Sequence, residues 1–130
     1  MVRRVVIVAT FALASFGIAA AQEREAFACV EHDTGGFKWE NDKFAPTRFR
    51  QAQFTFVRQG GVIVLKKRGV EDRYECAPLW GRADLIRCTD ETNVYVIDMK
   101  RLRFSRANLY AYVDNSDDSL VVAYGDCQRF

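Results

Sequence analysis

The chain has 130 residues, with 19 Lys and Arg against 17 Asp and Glu and a single histidine. Residues 1–21 hold Arg3 and Arg4 and no acid, so the remainder carries 17 bases against 17 acids and is neutral. A neutral domain argues against a nucleic-acid binder, which needs a basic footprint to displace counterions. The local clusters Lys66-Lys67-Arg68 and Arg101, Arg103, Arg106 read as solvated strand edges and turns.

The N-terminus begins with a short basic stretch at Arg3 and Arg4. An uncharged, largely apolar run from Val5 to Gln22 follows, and Ala19-Ala20-Ala21 supplies small residues before a cleavage point after Ala21. That order is the layout of a secretory signal. The expectation is a signal peptide at 1–21 and a single domain at 22–130, periplasmic or secreted, with no membrane anchor after cleavage. The four cysteines Cys29, Cys76, Cys88 and Cys127 are an even set in a small exported domain and predict two disulfides. Three pairings are open. Cys76–Cys88, clipping a hairpin, and Cys29–Cys127, tying the start of the domain to its end, are favoured. No CxxC pair is present and His32 has no second histidine to complete a metal site. No cofactor is expected.

Short apolar–polar alternations separated by turn residues predict strands throughout. Residues 26–32 make a first strand, with Phe27, Cys29 and Glu31 on one side. Asp33-Thr34-Gly35-Gly36 reads as a turn, Phe37–Trp39 as a short strand, and Pro46 as the end of the piece that holds Phe44. Residues 49–57 and 62–65 flank Gln59-Gly60-Gly61. Residues 73–76 and 85–88 flank a loop at 78–82 that carries Trp80. Residues 93–99, 102–104, 109–113 and 120–124 complete the set. Met99, Leu102 and Arg106 have helical spacing, so 98–107 is also open to a helical turn. Eight or nine strands in antiparallel order predict an all-β fold, a small barrel or a two-layer sandwich. The barrel is preferred because closure removes edges.

Chemistry is sparse. Of the serines beyond the leader, Ser105, Ser116 and Ser119, none lies in a G-x-S-x-G turn, and His32 is expected to be a plain surface residue rather than the base of a triad. Glu71-Asp72, Asp90-Glu91 and Asp117-Asp118 read as solvated loop pairs rather than the carboxylates of a glycosidase. The loop 114–118 is oxygen-rich but lacks the order of a calcium-binding EF-hand. Phe54, Phe56, Phe104 and Trp39 are expected in the core. Trp80, beside Arg82, has two readings: an anchor for a partner, or a ring folded back to cap the barrel mouth.

The segment CVEHDTGGFKWENDKF at 29–44, TRF at 47–49, MKRLRFSRANLYAYV at 99–113 and YGDCQRF at 124–130 resemble a set of small uncharacterised secreted proteins of Gram-negative bacteria. The resemblance implies an all-β domain and no assigned activity. A second likeness is to periplasmic inhibitors of c-type lysozyme, small exported barrels with a cysteine near each end. The nearest counterpart of their Ser-Ala-Ser-Gly-like loop is Gly69-Val70-Glu71-Asp72-Arg73-Tyr74, which differs from it. Three classes follow: a non-catalytic binding module for an envelope or extracellular protein; an inhibitor of an envelope-directed hydrolase, meeting a basic enzyme through an acidic loop such as 114–118; and a glycan-acting enzyme.

Overall fold

A computed structural model describes residues 23–114 and 118–130. The signal peptide expected at 1–21 lies outside the described residues, as does the centre of the 114–118 loop. Among the described residues there are nine strands and no helix: β1 (Arg24–Glu40), β2 (Lys43–Arg48), β3 (Gln53–Gln59), β4 (Val62–Lys67), β5 (Val70–Leu79), β6 (Arg82–Thr89), β7 (Asn93–Asp98), β8 (Arg103–Asn108) and β9 (Leu120–Arg129). Each pairs antiparallel with its neighbour in the order β2-β1-β3-β4-β5-β6-β7-β8-β9, and β9 pairs back onto β1. The result is a closed eight-stranded barrel with β2 as an extra strand on the far half of β1.

Tight turns set the registers. Asn41-Asp42, Arg68-Gly69 and Trp80-Gly81 all have positive φ at both central positions. This is the type I′ geometry whose twist matches the strands it joins. The three connections at 60–61, 80–81 and 99–102, together with both described termini, lie at one end of the barrel, called the lower end here. The connections at 49–52, 68–69 and 90–92 lie at the upper end, as do residues 109–114 and 118–119 between β8 and β9.

Period-2 alternation fills the interior. Phe27, Phe56, Ile63, Leu65, Ile86 and Ile97 are fully buried. Phe27 stacks on Phe56 at 4.7 Å, and Phe54 meets Phe104 and Tyr95 edge-on at 5.0 and 5.8 Å. Both favoured disulfides are present: Cys29–Cys127 spans directly opposed residues of β1 and β9, and Cys76–Cys88 does the same across β5 and β6. No described cysteine is free, which fits an oxidising compartment.

The seam between β1 and β9 closes the barrel, and two sequence expectations change around it. Residues 33–36 are not a turn. β1 runs unbroken for 17 residues, with only a bulge between Glu31 and Asp33, because β9 pairs along it on both sides of that bulge. The glycines there serve close approach: a Cβ on Gly36 would sit 1.9 Å from the Leu120 carbonyl oxygen, and one on Gly125 1.9 Å from that of Val30. Gly125→Ala is therefore expected to force the seam apart and cost about 3 kcal/mol or more, readable as a lowered midpoint in urea unfolding. Pro46 lies within β2 rather than ending it.

Two further expectations are corrected. The segment 98–107 has no helix: Asp98 Oδ1 accepts from the amides of Lys100 and Arg101 at 2.9 and 2.8 Å, Leu102 takes φ 54°, and β8 starts at once. Residues 109–113 are a loop rather than a strand. Its alternation comes from Ala111, buried, between exposed Tyr110 and Tyr112.

Candidate binding surfaces

Three places in the fold depart from an ordinary small barrel. The first is the interior of the upper end. Glu31 continues the inward row Phe27–Cys29 and is 1 % exposed. It lies where β2 breaks from β3, so its carboxylate fills a gap in the ladder. Glu31 Oε2 accepts from the Ala52 amide at 2.9 Å and from Thr34 Oγ1 at 2.5 Å, while Oε1 takes Arg106 Nε at 2.6 Å. Arg106, on the inward row of β8 with Phe104, is not a solvated edge residue: its side chain is 11 % exposed. Burial pushes the Glu31 pKa up, but the hydrogen bonds from Arg106, Thr34 and Ala52, with the Arg106 charge, outweigh it and leave the carboxyl below its ordinary range. Lys67 is lowered by burial and by Arg106, against the pull of Glu31. Burial also holds the Tyr95 hydroxyl up at about 12 and raises Tyr74, which has Asp90 nearby. Among the described residues no buried side-chain polar atom lacks a partner. This set is a satisfied polar plug, with the Glu31 carboxylate engaged on both oxygens.

The second place is the tip of the β5–β6 hairpin at the lower end. The loop expected at 78–82 is only the two-residue turn Trp80-Gly81, with Leu79 opposite Arg82. Beyond that pair the register shifts before Pro78 meets Ile86, so β6 carries Ala83, Asp84 and Leu85 as an excess. Three things brace the tip. The Cys76–Cys88 disulfide locks the stem two residues below Pro78. Arg82 grips Asp84 with two nitrogens, Nη2 to Oδ2 at 2.7 Å and Nε to Oδ1 at 3.2 Å. That contact raises the Arg82 pKa and lowers that of Asp84. The Asp84 carbonyl accepts the Met99 amide at 2.7 Å, tying the excess residues to β7. Trp80 itself has φ 51° and is 84 % exposed. It caps nothing.

The third place is the outer wall formed by β7, β8, β9, β1 and β2. Registers align Val94, Ala107, Val122 and Gly35 in one outward row. Val96, Ser105 and Tyr124 form the next. Phe37, between Leu120 and Pro46, and Trp39, beside Phe44, extend the wall along the β1–β2 hairpin. Trp39 meets Phe44 edge-on at 5.0 Å, and Phe44 meets Tyr112 of the 109–113 loop at 5.8 Å. Trp39 is thus outside the barrel, 37 % exposed, and not in the core. The sequence reading missed this wall because aromatic alternation looks the same whichever face is buried; the signal was there in the pairing of Phe37 and Trp39 with a hairpin longer than the barrel needs.

The remaining sequence candidates are unremarkable in geometry. His32 is at the surface with Nε2 2.8 Å from Asp126 Oδ2. Asp90 accepts from the amides of Thr92 and Asn93 at 2.8 and 2.6 Å, capping its own turn. Among the described residues no group of three or more His, Cys, Asp or Glu is placed to hold a metal ion. A groove of about 620 Å³ on the outside of β3–β5 is floored by Val57, Val62 and Val64, with Arg24, Lys66 and Arg73 around it. The chain matches no protein family, no curated protein and no solved structure.

Proposed function

We propose that this protein is a non-catalytic binding module of the periplasm or extracellular space, and that Trp80 anchors a protein partner. The observation that carries the reading is Trp80 itself: a large apolar ring, 84 % exposed, held at positive φ on a braced tip. The first central position of a type I′ turn favours Asn, Asp or Gly. A bulky residue there is strained by about 1–3 kcal/mol, and exposure to water returns nothing for that strain. A partner's pocket does. Tryptophan is among the residues enriched at interface hot spots, and rigid presentation lowers the ordering cost of binding. Arg82 contributes by gripping Asp84 and fixing the tip.

The test is capture from envelope extract on the immobilised, oxidised protein, run in parallel with Trp80→Ala. A partner held by the native chain and retained at least about tenfold less by the variant is the expected result, since losing a tryptophan anchor costs about 2 kcal/mol or more. Equal retention by both would remove Trp80 from the interface. An exposed tip suits a concave cleft, so a hydrolase is the second reading, in line with the likeness to lysozyme inhibitors. Lysozyme turnover that stays constant under excess protein rejects it.

A further inference from the structure

We propose that the outer wall of β7, β8, β9, β1 and β2 joins two copies of this chain. Val122, Tyr124, Phe37 and Trp39 are 54 %, 56 %, 44 % and 37 % exposed on one continuous surface. A soluble monomer rarely shows so extended an apolar face without a use for it.

Two observations select a second copy as the occupant. The charges bordering the wall come in opposite pairs: Arg48 with Asp33 at 3.2 Å and Arg103 with Asp126 at 3.9 Å. A partner of one dominant sign would leave half of these groups opposed. A two-fold contact places each cation against an anion of the other copy, the self-complementarity that an isologous interface requires. Beyond the leader the chain is also neutral, so copies do not repel at long range. The second observation is Gly35, in the middle of the wall between Val122 and Arg48. Unlike Gly36 and Gly125 it is not needed by the fold, because a Cβ there would meet nothing closer than the Thr47 carbonyl oxygen at 3.9 Å. Its missing side chain leaves a notch in the wall, and an apolar side chain of the second copy seats in it.

Association through side chains, not through strand addition, follows from β2. Its hairpin closes on Glu40 opposite Lys43, so Lys38–Ala45 and Gly36–Thr47 are the hydrogen-bonded pairs in the same register. Phe44, Pro46 and Arg48 therefore turn their backbone nitrogens to the open edge, and Pro46 has no N–H to give. The edge is blunted against pairing.

Sedimentation of the processed, oxidised protein over a broad concentration range tests the proposal, with Val122→Lys and Gly35→Leu as variants and Trp80→Ala as control. The expected result is a reversible dimer whose dissociation constant rises at least about tenfold in each wall variant, a loss of about 1.4 kcal/mol or more, with the circular dichroism of the native fold retained. Trp80→Ala should dimerise as the native chain does, so failure of this proposal and failure of the Trp80 anchor are separable. A native chain that stays monomeric throughout, or a dimer that survives both wall substitutions, overturns it.

Discussion

Removing the Cys29–Cys127 disulfide is expected to be the most damaging single covalent change, lowering stability by about 4–5 kcal/mol. The two cysteines are 98 residues apart in sequence and directly opposed on the seam that closes the barrel. The loop-entropy account assigns about 4.7 kcal/mol to a loop of that length and about 3 kcal/mol to one the size of the Cys76–Cys88 loop. Their separation there is 12 residues. Against a typical net stability of about 5–15 kcal/mol, loss of both approaches global unfolding. Urea unfolding of Cys29→Ala/Cys127→Ala beside Cys76→Ala/Cys88→Ala checks the order: the seam variant should have the lower midpoint, and equal midpoints would mean that closure of β1 on β9 is secured by its ladder alone.

Glu31→Gln is expected to cost about 3–5 kcal/mol, because it leaves Arg106 buried without its charge partner. Arg106→Leu strands the carboxylate instead and should cost a similar amount. The joint Glu31→Leu/Arg106→Leu change should recover much of either loss, since an apolar pair of similar volume escapes the desolvation penalty. The same site sets an acid limit. The Glu31 pKa is depressed in the fold, with burial opposing and the Arg106, Thr34 and Ala52 hydrogen bonds prevailing. Its contribution is therefore complete above the ordinary carboxylate value of about 4.3 and is lost as pH falls through the lower folded value. Denaturant midpoints of the native chain should hold from neutrality to about pH 5 and decline below about pH 4, while Glu31→Gln should decline less steeply. Parallel slopes for the two proteins would show that the acid limit comes from other carboxylates.

The strands and the disulfides were legible because their signals are local: alternation over a few residues, turn glycines, and two cysteines flanking one hairpin. Closure was legible only as a preference, since a sandwich has the same alternation. What failed depended on strand neighbours. Gly35-Gly36 resembles a turn until β9 is known to run alongside it, so close at Gly36 that a Cβ is excluded. Arg106 resembles a surface charge until β8 is given its register, which turns it inward with Phe104 onto Glu31. Trp39 resembles a core residue until β2 is seen to lie outside the barrel. Trp80 beside Arg82 reads as an anchor or a cap, but the feature that gives the anchor weight, a positive φ in a two-residue turn, is invisible in a sequence that reads as a five-residue loop.

The direct test of the central claim, that Trp80 is held in strain for something outside this chain, is the equilibrium stability of Trp80→Asn. Asparagine accepts the left-handed backbone at the first position of the turn, and the ring it replaces packs on nothing in the fold. The expected result is a variant more stable than the native protein by about 1 kcal/mol, with the partner lost. A variant less stable by that amount would contradict it, because the indole would then be supporting the barrel and not waiting for a partner.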